Sequence, residues 1–152
     1  YVNHLAEVAA LAASAPAGRD AEIVAAGWLH DAVEDGRATF AEVEDLAGAR
    51  VRRLVAELTD DVSLPDEERR GRQVAEVAGK SAEARLLKLC DKISKVREMA
   101  ADPPADWPPR QVEAYVLWCL AVVDAGCRGL DAALEAEFDR AVERVREEAA
   151  EQ

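Results

Sequence analysis

The chain has 152 residues, half of them apolar and 5% aromatic, with a net charge of −12 and a pI of about 4.6. This length predicts one domain, large enough to bury a core without disulfide staples. The acidic balance repels nucleic-acid backbones and anionic lipid, so we expect no nucleic acid and no membrane as a partner. No window approaches the roughly 18 apolar residues of a membrane span.

Helix-forming residues dominate, and few stretches alternate with period two, so the sequence predicts an all-α fold with no sheet. Asp20, Ser81 and the Thr39–Glu42 capping box mark helix starts. The expected helices cover residues 1–14, Asp20 to about Glu34, Thr39 to Gly48, 49–59, about 66–78, Ser81 through Val96, about Pro109 to Cys127, and about 131–149. Together they form one bundle-like domain of about eight helices over residues 1–152.

The cysteines are three in number and show no CxxC spacing. Cys90, Cys119 and Cys127 all lie in apolar helical windows, where we expect small buried hydrophobes. Such usage is typical of a reducing cytoplasm. No secretory signal is visible. Because the sequence begins at Tyr1 and not at Met, we expect further residues upstream of it.

Positive charge is concentrated in one segment. Residues 69–97 hold nine Lys or Arg and three acids, a balance of +6, which leaves −18 for the rest of the chain. A basic strip on an acidic protein favours a small anionic ligand. A solvated helix face paired with neighbouring acids explains the pattern equally well.

Ionisable residues interrupt three apolar helices. Asp31 follows His30, and Glu34 comes four residues after His30, so one continuous helix would present all three on one face. His4 lies on the first helix beside apolar residues, and Asp91 lies within the apolar run from Leu86 to Ile93. Burying these groups unpaired is costly, and a cation would offset that cost.

Simpler explanations stay open for two of these residues. Asp91 could form a plain salt bridge with Lys88 or Lys95, and His4 could be a satisfied surface histidine. If neither explanation holds, the two imidazoles and two carboxylates form a mixed set of nitrogen and oxygen ligands. Such a set favours Mn²⁺, with Fe²⁺ or another divalent cation as an alternative. Glu34 and Asp35 then remain as the acid–base pair, with Glu34 activating water.

Five motifs together resemble the HD superfamily of metal phosphohydrolases, and within it the hydrolase domain of the RelA/SpoT family, most of all the small stand-alone Mesh1-like hydrolases. The motifs are Tyr1-Val2-Asn3-His4, His30-Asp31-Ala32-Val33-Glu34-Asp35, Val51-Arg52-Arg53-Leu54-Val55, Leu58-Thr59-Asp60-Asp61 and Lys88-Leu89-Cys90-Asp91-Lys92-Ile93. The resemblance extends from Tyr1 to about Ala125.

This resemblance implies Mn²⁺-dependent hydrolysis of the 3′-pyrophosphate of guanosine tetra- or pentaphosphate, (p)ppGpp. The implied metal ligands are His4, His30, Asp31 and Asp91, and the implied catalytic pair is Glu34 and Asp35. Tyr115 matches a family tyrosine near the nucleotide, although a core aromatic is an equal alternative. The expected substrate-binding residues are Tyr1, Asn3, Lys92, Lys95 and Tyr115.

Two positions depart from the family pattern. Lys95 stands where the family usually has Asn, and Asp66 stands where Mesh1-like proteins carry a basic residue. Lys95 could replace a phosphate contact, whereas Asp66 would repel a polyphosphate unless it points away. These departures leave three alternatives open: a phosphatase for another nucleotide, such as the 2′-phosphate of NADPH, a non-catalytic nucleotide sensor or antitoxin-like partner, and a purely structural helical domain. The sequence does not decide between a monomer and a homo-oligomer.

Overall fold

The computed structural model describes residues 1–150, which hold eight α-helices, two short 3₁₀ helices and no strand. Residues 151 and 152 of the predicted domain lie outside the described part. The α-helices are α1 (Val2–Ser14), α2 (Ala21–Leu29), α3 (Phe40–Ala47), α4 (Ala49–Leu58), α5 (Asp66–Glu76), α6 (Ala82–Ala101), α7 (Pro109–Gly126) and α8 (Ala132–Ala150). The prediction of an all-α fold with about eight helices is therefore confirmed.

The predicted helix caps are present. The Asp20 carboxylate accepts from the Glu22 amide at 3.1 Å at the start of α2. Thr39 and Glu42 form the reciprocal capping box of α3, with bonds of 3.2 and 2.8 Å. These bonds satisfy amide groups that would otherwise have no partner in the first helical turn.

The prediction that α2 continues to about Glu34 is wrong. The helix ends at Leu29, and residues 30–36 form successive turns. The Asp35 amide still bonds the Asp31 carbonyl at 2.9 Å, but the Ala32 amide bonds the Leu29 carbonyl in a tighter turn. Gly36, at a φ of 67°, ends the segment because this left-handed conformation suits glycine. The catalytic candidates therefore lie on a turn directly after a rigid helix.

The predicted helix over 66–78 also ends early. Regular α-helix stops at Glu76, and residues Val77–Gly79 continue as a 3₁₀ turn. A second 3₁₀ turn, Pro16–Arg19, connects α1 to α2.

Helix α6 is the centre of the molecule and packs against α1, α2, α4, α7 and α8. It is buried around most of its circumference, since 13 of its 20 residues are buried. A helix surrounded on all sides must bury its polar residues as well as its apolar ones. Lys88, Asp91, Lys92 and Ser94 are accordingly all buried.

Helices α1 and α2 approach each other closely at Gly27. A Cβ at this position would lie 3.3 Å from the Cα of Ala9, so the backbones meet where a larger side chain would push them apart. This contact sets the separation between the helix that carries His4 and the helix that leads into His30.

The cysteines are buried and free, as predicted. Burial raises the pKa of Cys90 to about 12 and that of Cys119 and Cys127 to about 11. Among residues 1–150, no helix combines the length and the apolar character needed to cross a bilayer.

Candidate metal centre

Two histidines and two aspartates from three helical regions meet beside α6. The Nε2 atom of His4 lies 3.2 Å from Asp91 Oδ1 and 3.7 Å from Asp31 Oδ2. The Nε2 atom of His30 lies 3.2 Å from Asp31 Oδ2 and 3.5 Å from Asp91 Oδ1. The ligand atoms of His4, His30 and Asp31 all lie within 4.8 Å of one another. The fold thus brings together all four residues that the sequence predicts as metal ligands.

These side chains fit a divalent cation. The inner atoms of the cluster, Nε2 of both histidines and both carboxylate oxygens of Asp91, are buried and make no hydrogen bond of good geometry. Buried polar atoms without partners are expensive, and a cation among them would satisfy all of them at once. Mixed imidazole and carboxylate ligands suit Mn²⁺, Fe²⁺ and Zn²⁺.

The outer nitrogens of the two imidazoles are held by different partners. Nδ1 of His30 lies 2.7 Å from the carbonyl oxygen of Gly27, one turn earlier. Nδ1 of His4 lies 2.9 Å from the hydroxyl oxygen of Ser94. A carbonyl can only accept, so His30 carries its proton on Nδ1 and directs Nε2 inward.

The charges within the cluster are strongly coupled. Burial would lower the pKa of His30, but the carboxylates of Asp31 and Asp91 outweigh burial and raise it to about 10. Burial opposes ionisation of Asp91, but the ammonium groups of Lys95 and Lys92 hold its pKa well below the usual range. The site therefore keeps its carboxylates ionised at neutral pH, as cation binding requires, and a bound cation would displace the second proton that the raised pKa of His30 leaves on Nε2.

Glu34 lies at the rim of the cluster. Its Oε1 accepts from the backbone amide of Asp60 at 2.6 Å, which ties the turn after α2 to the loop after α4. Burial raises the pKa of Glu34, and the bond from Asp60 opposes that shift. A carboxylate with a raised pKa and one oxygen fixed has the character of a general base.

Asp35 lies at the outer edge of the turn that follows α2, and Tyr1, just before α1, lies close to it. Asp35 is exposed, and Tyr1 is half exposed with the Arg37 guanidinium 4.4 Å above its ring. Burial and the nearby Asp35 carboxylate raise the pKa of Tyr1 to about 12. Asn3 is exposed in the first turn of α1. Their roles in catalysis and substrate binding stay predictions.

The two lysines predicted to bind substrate occupy different environments. Lys95 Nζ lies 3.1 Å from Asp91 Oδ1, and 28% of its side chain is exposed, so it can reach a ligand. Lys92 has no exposed surface. Its Nζ lies 3.8 Å from the centre of the Trp118 ring and 3.5 Å from Asp91 Oδ2. The structure therefore corrects the substrate-binding role of Lys92, because α7 covers this side chain and leaves it only internal contacts.

Tyr115 belongs to an aromatic cluster on α7. Its ring packs 5.6 Å from Trp107 and 5.3 Å from Trp118, measured between ring centroids. The Arg70 guanidinium lies 5.4 and 5.3 Å from the Tyr115 and Trp118 rings. Burial raises the pKa of Tyr115 against the opposing charge of Lys95, which places the phenol close to the cluster. Tyr115 is thus both a packed aromatic and a neighbour of the site.

Several neighbours of the site were not among the predicted residues. Arg69 forms an ion pair with Asp66, which is the main cause of its raised pKa, and the nearby charges of Glu34 and Asp60 raise that pKa further. That pair neutralises Asp66, whose side chain is 73% exposed. The excess of positive charge in residues 69–97 was the one signal in the sequence for Arg69, Arg70 and the buried Lys88. Nothing in the sequence indicated the contact between Ser94 and His4.

The chain is similar to known proteins over most of its length. The family model for the HD domain matches residues 1–122. The guanosine-3′,5′-bis(diphosphate) 3′-pyrophosphohydrolase MESH1 of Drosophila melanogaster is 38% identical over 139 residues, which cover 91% of this chain and 77% of that protein. The MESH1 protein of Homo sapiens is 39% identical over 135 residues, which cover 89% of this chain and 75% of that protein.

Two solved structures share the fold. A metazoan ortholog of SpoT that hydrolyzes ppGpp superposes with a TM-score of 0.87 at 36% identity, covering 95% of this chain and 80% of that one. A protein of Listeria monocytogenes EGD-e superposes with a TM-score of 0.77 at 27% identity, covering 95% and 96% of the two chains.

Proposed function

Because this chain belongs to the HD-domain family, we propose that it hydrolyses the 3′-pyrophosphate of ppGpp to give GDP and pyrophosphate. The observation that carries the proposal is its similarity to MESH1 pyrophosphohydrolases over about nine-tenths of its length, combined with the convergence of four ligand-type side chains on one point. A structural role alone would not require two imidazoles and two carboxylates to turn their inner atoms toward one another in the interior.

We propose that His4, His30, Asp31 and Asp91 hold one divalent cation. Their carboxylate and imidazole ligand atoms suit Mn²⁺ or Fe²⁺. When bound, the cation lowers the pKa of a water molecule and polarises a phosphoryl oxygen. Asp91 is 3% exposed, so the protein excludes most solvent from one side of the site. Charges act more strongly there than in bulk water.

Glu34 would take the proton from the attacking water. Its Oε1 is held by the Asp60 amide, which leaves Oε2 to take the proton. Burial raises its pKa, which makes it a better base than an exposed glutamate. The raised pKa follows from the partial burial of Glu34, and the fixed oxygen follows from its hydrogen bond with the Asp60 amide.

Hydrolysis exchanges one P–O bond for another. The water oxygen attacks the phosphorus that is linked to the ribose 3′ oxygen, and the bond between that phosphorus and O3′ breaks. Pyrophosphate leaves with the water oxygen, and a proton passes to O3′ to complete the 3′ hydroxyl of GDP. Asp35, exposed on the same turn, would return that proton with Glu34.

Basic side chains beside the site would bind the phosphates. Lys95 is partly exposed next to Asp91, and Arg69 lies near Glu34. Lys95 acts on phosphate as a point charge, whereas the Asn usual in the family would only form hydrogen bonds. Arg70 with the Tyr115 and Trp118 rings forms a cationic and aromatic surface that suits a purine base.

The environment of the reaction is also part of the proposal. Three free, buried thiols favour a reducing cytoplasm. The charge of −12 disfavours nucleic acid as a partner, so a small anionic nucleotide is the expected ligand.

The test is turnover by the purified protein with Mn²⁺, offered ppGpp or NADPH in separate reactions, with products separated by chromatography. The proposal predicts pyrophosphate and GDP from ppGpp. Orthophosphate from NADPH with ppGpp untouched would keep the metal site and overturn the substrate. No turnover of either compound by protein that has bound Mn²⁺ would favour a binding role.

A further inference from the structure

A continuous relay of polar contacts leads from the candidate metal centre to the last helix. Nδ1 of His4 lies 2.9 Å from Ser94 Oγ, and Ser94 Oγ lies 2.7 Å from Glu7 Oε2. The other oxygen of Glu7 accepts from Arg97 Nη1 at 2.8 Å, and Arg97 Nη2 donates to Glu137 Oε2 at 2.5 Å. This relay joins α1, α6 and α8.

The protons in the relay can be assigned from chemistry alone. A carboxylate only accepts, so the single hydroxyl hydrogen of Ser94 must point to Glu7. The Ser94 oxygen is then an acceptor toward His4, and Nδ1 of His4 must carry a hydrogen. Nε2 is the nitrogen left for the cluster, where it lies 3.2 Å from Asp91 Oδ1.

The burial of Ser94 makes this assignment firm. Ser94 is 3% exposed, so water has little access to replace either of its bonds. Glu7 is held on its second oxygen by Arg97, which orients the carboxylate. A histidine whose outer N–H is held in this way presents its other nitrogen in a fixed direction.

We infer that Ser94 and Glu7 are positioning residues that fix the tautomer and ring orientation of His4 as a metal ligand, with Arg97 and Glu137 anchoring them to α8. This inference rests on the metal site of the proposed function. It gives α8 a link to that site, although α8 lies beyond the residues matched by the HD-domain model.

The chain offers an internal control, because it has only two histidines. His30 donates from Nδ1 to the Gly27 carbonyl, a backbone group that no side-chain substitution removes. In ¹⁵N-labelled protein loaded with diamagnetic Zn²⁺, both rings should show a protonated Nδ1. Ser94→Ala should change the His4 signals, through loss or rapid exchange of its Nδ1 proton, and leave those of His30 in place.

Mn²⁺ affinity, measured by calorimetry, gives the second readout. Ser94→Ala and Glu7→Leu should each weaken binding by roughly 10- to 100-fold, the usual cost of removing a partner of a ligating histidine. Glu7→Gln keeps an oxygen that accepts from Ser94 and should stay within about fivefold of the wild type, since it loses mainly a half-exposed ion pair.

Ser14→Ala is the matched control on α1. Its hydroxyl donates to the Leu11 carbonyl within the same helix, so this variant should bind Mn²⁺ like the wild type. Glu137→Ala should weaken binding by at most about fivefold, because the contact it removes is partly solvent-exposed.

Unchanged Mn²⁺ affinity in Ser94→Ala would overturn the inference, as would a wild-type His4 without a proton on Nδ1. Weaker binding with unaltered His4 signals would also overturn it, because the serine would then be only structural. If Ser94→Ala does not fold, comparison of Glu7→Leu with Glu7→Gln decides between the same outcomes. None of these measurements uses ppGpp, so wild-type protein that binds Mn²⁺ but leaves ppGpp intact would overturn the proposed function and not the relay.

Discussion

Replacing Glu34 with Gln separates proton transfer from folding and metal binding. In Glu34→Gln the side-chain amide oxygen can still accept from the Asp60 backbone amide, which lies 2.6 Å from Glu34 Oε1 in the wild type. The side chain keeps its size and position and loses its ability to take a proton. Glu34 is not one of the four clustered ligand candidates, so the variant should bind Mn²⁺ normally.

The expected loss in kcat is roughly 10²- to 10⁴-fold, the range for removal of a general base. That loss corresponds to about 2.7–5.4 kcal/mol of barrier height. Because burial raises the pKa of Glu34 above its ordinary value of 4.5, the acid limb of the wild-type rate profile should lie above pH 4.5. The limb should be absent in the variant.

Stability should change in the opposite direction from activity. A carboxyl whose pKa is raised by folding stabilises the protein at low pH and loses that contribution as the pH rises through its folded pKa. Once ionised, the partly buried Glu34 is therefore a small destabilising element, and at a pH above its folded pKa Glu34→Gln should unfold at the same or a slightly higher urea concentration. This follows from burial of the carboxylate, which an amide tolerates better.

Steady-state turnover of ppGpp over a pH series, with Mn²⁺ bound to a measured stoichiometry, is the assay. Glu98→Gln, at an exposed position of α6, is the matched control and should keep wild-type rates. A full rate in Glu34→Gln would refute the general-base role. Loss of Mn²⁺ binding in that variant would show that Glu34 is needed to hold the metal and does not act only as the base.

Four other substitutions or treatments probe the ligands, the phosphate contacts, the core and the thiols. His30→Ala should abolish Mn²⁺ binding and turnover together, which metal analysis after dialysis checks; retained metal would remove His30 from the site. Lys95→Asn removes a cation 3.1 Å from Asp91 Oδ1, so calorimetry should show a Kd for Mn²⁺ that is roughly tenfold lower, while the KM for ppGpp rises. A fall in both constants, or a rise in both, would contradict this electrostatic account. Phe138→Ala should lower the unfolding free energy by about 3–5 kcal/mol in urea titrations, since this α8 side chain is fully buried; a loss under about 1 kcal/mol would show that α8 is dispensable for the core. The three thiols have pKa values raised to about 11 or 12, so at pH 8 about one in a thousand or fewer is ionised, and a thiol reagent should label them only after unfolding; fast labelling of native protein would contradict their burial.

The sequence allowed accurate prediction where a local signal exists. The capping box at Thr39 and Glu42 marked the start of α3, and Gly48 marked its end. The four ligand candidates were identified because ionisable residues stood out in apolar helices, and the structure brings all four together. Such signals are local because a cap or a buried charge constrains its own segment.

Other features depend on tertiary contacts and could not be predicted. No Gly or Pro lies between His30 and Asp35, so nothing in the sequence marks the end of α2 at Leu29. The bond from Glu34 to the Asp60 amide, 26 residues away, holds the turn that follows. Lys92 was predicted to bind substrate, but it directly follows Asp91, and successive residues of a helix point in different directions. It packs under Trp118 instead.

The most direct test of the central claim is hydrolysis of ppGpp in ¹⁸O-labelled water by the protein with one equivalent of Mn²⁺. The account predicts one labelled oxygen in pyrophosphate and none in GDP, because water attacks phosphorus and O3′ stays with the nucleoside. Label in the 3′ hydroxyl of GDP would contradict the bond assignment. Intact ppGpp in the presence of metal-loaded protein would contradict the function itself.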